Sequence, residues 1–246
     1  LHEEVRVRHR FVIAGVLGAA IALLALSAFV VGAARVIRTP ELAEPTADAV
    51  PRAQTEGYAL WGTQPNGEPV RWNPCEPIRW TYNGDAAPEQ GRQALSLAMA
   101  RITAISGLEF EFVGATTEQP ARDRPLIAET ADGPTWAPVL ITWVPGNSTD
   151  LPLSDQERGV AVPVAVREGD ALVFVTGQIV LNADKQLLPM FEDRHAAWGA
   201  VLLHELGHLV GLDHVADPVQ LMAPTPGFGE VIFGNGDLAG LVAVGA

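Results

Sequence analysis

The chain has 246 residues, enough for one domain of ordinary size plus accessory segments. Its 16 basic and 29 acidic residues leave a net charge of −13, unevenly spread: the first 35 residues hold four Arg and two Glu, so the remainder is −15. A domain that acidic is repelled by nucleic acid and anionic lipid headgroups, which excludes nucleic-acid binding, and a single cysteine excludes an intrachain disulfide.

Arg6, Arg8, His9 and Arg10 precede an apolar run from Phe11 to Ala34 that contains no charge. Those 24 residues suffice, at about 1.5 Å each, to cross a hydrocarbon core of about 30 Å with some tilt. The run exceeds the roughly 7–15 residues of a secretory signal and reads as a retained transmembrane anchor, with signal cleavage near Val31-Gly32-Ala33 as the alternative. The expected organisation is a short cytoplasmic tail (1–10), an anchor (11–34), a stiff Pro/Ala/acid-rich linker (35–57) and an extracytoplasmic domain (58–246). That makes the expected location the cell membrane, single-pass, or the exterior after signal cleavage.

Within the domain, Ile78, Trp80 and Tyr82 alternate on a strand over 78–82. Pro88 opens a helix running to Ser106, with Leu95, Ala98, Met99, Ile102 and Ile105 as its apolar stripe and Gly107 as its stop. Leu108, Phe110 and Phe112 alternate on the next strand and should face that helix. Residues 114–137 read as a surface loop, 139–144 as a strand and 145–158 as a second loop. A hairpin is expected from 160–166 and 171–175 around Arg167-Glu168-Gly169-Asp170, followed by a strand at 178–182. Pro163 cannot donate to a ladder, so the first of these strands belongs at a sheet edge. Asp193 is the expected cap of the following helix, and His195 a solvated residue in its first turn.

That helix carries the chemistry. Trp198, Leu202, Leu206 and Leu209 lie at helical spacing, widened by Leu203 and Val210, so the helix should be central. Its only polar side chains from Trp198 to Val210 are His204, Glu205 and His208. Residues four apart share a helix face, so His204 and His208 can aim two imidazoles at one zinc ion. Gly211 tolerates the conformation that ends a helix, and the chain can then return His214 as a third ligand. Three ligands with an open fourth position describe a catalytic zinc rather than a structural one. Glu205 is positioned to take a proton from water in that position. Burying these groups in so apolar a helix costs several kcal/mol unless a cation pairs with them. Beyond them, Asp237 to Val244 forms a short apolar helix expected to pack behind the active-site helix.

The pattern His204-Glu205-x-x-His208-x-x-Gly211-x-x-His214 resembles the metzincin metallopeptidases, and within them the matrixin-like branch. The resemblance implies an α/β (α+β) zincin domain over about 78–245: a twisted, mostly parallel sheet, an active-site helix and a C-terminal helix. It implies a zinc endopeptidase that holds one catalytic Zn2+ and acts on protein or peptide, which the apolar run at 11–34 would tether to a membrane. It also implies that Met222, in Gln220-Leu-Met-Ala-Pro224, forms a turn beneath the metal, and that Gly211 and Met222 support the site. By the same resemblance Val160, Ala161 and Val162 would add a substrate strand, with an ordinary capped edge the equal alternative, and Pro224 with Thr225 and Pro226 would line a pocket wall.

Asn73-Pro-Cys75-Glu-Pro77 echoes the matrixin cysteine-switch motif only weakly, and a buried unpaired thiol is the expectation for Cys75. With three of six histidines allotted, His2, His9 and His195 cannot build a second structural zinc site, and no EF-hand-like calcium loop is visible. Two rival readings stay open: a non-catalytic zinc-binding ectodomain, disfavoured by Glu205, and a zinc hydrolase of a non-protein amide. No signal in the chain sets an oligomeric state.

Overall fold

The computed structural model describes residues 52–54, 57–191, 197–224 and 233–245. The proposed tail and anchor at 1–34 lie outside the described residues, and among the described residues no helix is long and apolar enough to cross a membrane.

Three short strands come first: β1 (Ala53–Gln54), β2 (Ala59–Leu60) and β3 (Arg71–Trp72). Next come β4 (Ile78–Asn83), helix α1 (Gly91–Ser106), β5 (Phe110–Ala115), β6 (Ile127–Thr130), β7 (Gly133–Trp136) and β8 (Val139–Val144). The long strands β9 (Gly159–Glu168) and β10 (Ala171–Asn182) precede α2 (Trp198–Val210), β11 (Leu212–Asp213) and α3 (Asn235–Val244).

The main sheet is built on β10. Along its second half it pairs in parallel with β8, then β4 and β5 continue the sheet, all parallel. Along its first half β3 takes the place of β8 on the same side. Its other side carries β9, the one antiparallel partner. The sheet is thus mostly parallel, as expected. Val-Leu-Ile-Thr-Trp-Val of β8 is buried throughout, the run of apolar residues that a strand covered on both faces requires.

One face of the sheet carries α1 and α2. Leu95, Met99 and Ile102 of α1 and Leu202, Leu203, Leu206 and Leu209 of α2 share one core with Ile141, Trp143, Ile179 and Leu181 of the sheet. On the opposite face Val144, Leu151, Leu153 and Val180 form a smaller cluster under the 145–158 loop. The helix α3 contributes Leu241 and Val244 to the main core.

Several sequence expectations need correction. The helix α1 begins at Gly91 rather than at Pro88, whose carbonyl instead closes a turn with the Gly91 N–H. Its C-terminal stop is Gly107, at φ 75, as the sequence indicates. Phe112 faces α1 as expected, with Arg92 of that helix over its ring and Trp80 packed against it at 4.7 Å, but on the edge strand β5 it stays 41% exposed rather than buried. Residues 114–137 are no simple loop, since β6 and β7 form a hairpin there. Ahead of it Arg124 is buried, which its composition gave no hint of; Glu118 engages it at 2.7 and 3.2 Å and the Pro138 carbonyl accepts at 2.8 Å. The strands expected at 171–175 and 178–182 are one, interrupted only by an irregularity between Phe174 and Thr176. Cys75 is exposed, not buried, because it sits in the β3–β4 turn where Asn73 Oδ1 accepts its N–H.

Candidate active site

The helix α2 is buried at every residue except His204, which is half-buried. Its apolar surroundings explain why so Leu-rich a segment forms a central helix. Ala197, in extended conformation, is its N-cap, so the helix starts later than expected; Asp193 and His195 lie outside the described residues and precede its first turn. Gly211, at φ 120, ends the helix with its N–H directed at the His208 carbonyl, 3.0 Å away. Few side chains tolerate that backbone, and a Cβ there would also crowd Phe174 at 3.2 Å. The chain then enters β11, which pairs with β2, and reverses to present His214.

The outcome is a triangle. The Nε2 atoms of His204, His208 and His214 lie 3.1 Å apart on all three sides. His204 Nδ1 faces the Leu221 carbonyl at 2.7 Å and His208 Nδ1 the Leu212 carbonyl at 2.9 Å. A carbonyl only accepts, so each Nδ1 carries the proton and each Nε2 presents a lone pair. Burial, the largest cause, depresses the pKa of His204 to about 4 and lowers those of His208 and His214, which keeps the imidazoles neutral. Lone pairs crowded together in a buried site repel unless a cation lies between them. The centre of such a triangle is about 1.8 Å from each nitrogen, so the three could together hold an ion with a metal–nitrogen distance of about 2.0–2.1 Å, as zinc has. The donor set therefore fits a zinc ion.

Glu205, next to the first histidine, is 5% exposed and faces β9. The Ala161 backbone N–H bonds its carboxylate, while Oε2 is buried with no hydrogen-bond partner. Burial pushes its pKa up to about 8 against the opposing pull of Ala161. A Cβ at Gly159 would come within 2.9 Å of Oε1, so the glycine makes room for the carboxylate. Nothing in the sequence beyond a glycine before a strand points to that role.

Beneath α2 lies Met222, 1% exposed. Its Sδ would stand 2.5 Å from a Cβ at Gly207, so the turn packs directly on the helix between the two histidines. The turn is tied from two sides. The Met222 carbonyl accepts the Val215 N–H at 3.1 Å, and Asp237 of α3 accepts the N–H groups of Leu221 at 2.6 Å and Met222 at 3.2 Å. The peptide group that offers the Met222 N–H to Asp237 accepts from His204 through its Leu221 carbonyl, so a polar relay runs from α3 to a histidine of the triangle. The sequence pattern places Asp237 only in an apolar helix; its position three residues after Gly234 is nevertheless a capping position, and that spacing is the signal for its role.

Among the described residues β9 pairs only with β10, so Val160, Ala161 and Val162 lie on an edge strand, as Pro163 requires. Val160 and Val162 are half-buried and Ala161 is buried against α2. Pro224 is exposed just past the Met222 turn, while Thr225 and Pro226 lie outside the described residues.

Residues 131–238 match the family model for Matrixin. Over that stretch the chain is similar to the matrixins. The matched stretch runs from β7 into α3 and takes in all three histidines, Glu205, Gly211, Met222 and Asp237. At the level of that family the activity is zinc-dependent hydrolysis of peptide bonds. The strands β1 to β6 and α1 precede the matched stretch. No curated protein matches the chain.

Proposed function

We propose that the protein is a zinc endopeptidase whose metal is held by His204, His208 and His214 and whose general base is Glu205. One observation carries the reading: three imidazole nitrogens at 3.1 Å, beside a buried carboxylate with one unpartnered oxygen, on a helix that is otherwise apolar. Bound zinc would supply Lewis acidity, lowering the pKa of water and polarising a substrate carbonyl. Leu221 and Leu212 fix the tautomers of His204 and His208 through their carbonyls. Glu205, held by Ala161, accepts a proton from the attacking water and returns it to the nitrogen of the breaking peptide bond, so the amine leaves neutral. Gly211 and Met222 support the site by turning the chain and by packing under the helix.

The unpaired side of β9, at Val160 to Val162, aligns an extended peptide beside Glu205, and Pro224 forms part of the opposite wall. Residues 11–34 anchor the enzyme, with the acidic domain on the extracytoplasmic side.

The test is cleavage of an unstructured protein such as casein by the full chain. Cleavage should stop with a chelator, return with zinc, and fall roughly 10²–10⁴-fold in Glu205→Gln while zinc stays bound. Intact substrate at full zinc occupancy would refute the peptidase reading in favour of a binding domain. Cleavage of small amides alone would move the substrate class away from protein.

A further inference from the structure

We infer that Arg52 and β1, together with Ala59, Leu60 and Trp61, form a clamp that holds two of the three imidazoles in register, with Arg52 as its positioning residue. The inference rests on the zinc reading above and concerns a part of the chain that precedes the matrixin match. Two contacts converge on Arg52, and a third carries one of them on to the site. Its Nη1 lies 3.0 Å from Asp213 Oδ2, and its guanidinium sits 4.6 Å over the Trp61 ring. Trp61 in turn meets His208 edge-on at 5.5 Å.

The backbone completes the clamp. Leu60 pairs with Ala53 on one side and with Leu212 on the other, while Ala59 pairs with Gln54 and Asp213. The Trp61 N–H donates to the Gly211 carbonyl at 2.8 Å. Both residues of β11 serve the triangle: the Leu212 carbonyl accepts from His208 Nδ1, and Asp213 Oδ1 accepts the His214 N–H at 2.8 Å. His214 is the exposed member of the triangle and lies beyond α2, so its position depends on what holds β11. A metal site tolerates misplacement of only about 0.5 Å. Arg52 thus acts through Asp213 and Trp61, touching no reacting atom itself.

The experiment compares the full chain with Arg52→Ala and Arg52→Lys, measuring zinc affinity by chelator competition, the visible spectrum of the cobalt(II) form and melting of the metal-free protein. Loss of a residue that orients metal ligands costs roughly 10- to 100-fold in affinity. We expect Arg52→Ala to weaken zinc binding by that factor and to lose intensity in the four-coordinate cobalt bands, while metal-free melting hardly changes. Arg52→Lys, which keeps the ion pair with Asp213, should recover most of the affinity. Unchanged or tighter zinc binding in Arg52→Ala would overturn the clamp, the latter because it would mean the cation merely repels the metal. A large fall in metal-free melting with unaltered cobalt bands would overturn it too, marking a general structural tie. A parent chain that takes up no zinc would overturn the zinc reading itself, and the clamp with it.

Discussion

Asp237 offers the most direct check on how the site is supported. It is 1% exposed, and its carboxylate accepts three backbone N–H groups: Leu221 at 2.6 Å, Met222 at 3.2 Å and Gly234 at 2.8 Å. Asp237→Ala removes the two oxygens that accept these three bonds. The donors on Leu221 and Met222 are buried, and each orphaned buried donor costs roughly 1–3 kcal/mol. Burial raises the Asp237 pKa, so removing the carboxylate returns part of that desolvation cost, and the net loss should be about 2–4 kcal/mol. For a domain of this size one kcal/mol moves Tm by about 2–4 °C, which predicts a fall of roughly 4–16 °C in a thermal melt. Asp237→Asn can keep an oxygen toward Leu221 and Gly234 but turns an NH2 toward the Met222 N–H, donor against donor. It should fall between parent and Ala, at about 1–2 kcal/mol. Because Leu221 also orients His204, zinc affinity should drop in the same order. An Ala variant melting within about a degree of the parent, or an Asn variant weaker than Ala, would refute the reasoning.

Three further expectations follow from other contacts. Gly207→Ala should raise helix propensity by up to about 1 kcal/mol, yet its Cβ would meet Met222 Sδ at 2.5 Å, so a net destabilisation of about 1–3 kcal/mol is expected in denaturant unfolding, and a more stable variant would show that Met222 does not pack there. In the chelator-treated protein Glu205 has its pKa raised by burial from 4.5 to about 8, so the stability it contributes is complete below 4.5 and is lost as pH climbs through 8. The parent should therefore lose a few kcal/mol of stability relative to Glu205→Gln across that window, at about 1.4 kcal/mol for each pH unit, and a parent that gains on the Gln variant as pH rises would contradict it. Zinc should raise Tm by calorimetry in a concentration-dependent manner, since its ligands come from α2 and from the chain beyond β11; an unchanged melt with and without chelator would count against a site that binds only the folded state.

The sequence by itself determined the parts governed by local periodicity and spacing. His204 and His208 share a helix face at any location in any fold, and Gly211 three residues later leaves few courses for the chain except a turn. The α1 stripe, the buried run of β8 and the edge position required by Pro163 are likewise local properties, and each is found where the residues place it. What only the tertiary structure decided depends on contacts between distant segments. Ala53 and Gln54, in a stretch that reads as linker, pair with β2 because β2 also pairs with β11, a three-strand arrangement with too few residues per strand to leave a period. The burial of Arg124 rests on Glu118 and on the Pro138 carbonyl, and the role of Asp237 on a turn 15 residues earlier. A polar side chain carries no mark in the sequence of whether its partner is water or a distant peptide. Folding makes that choice, and here it settled which residues hold the three histidines together.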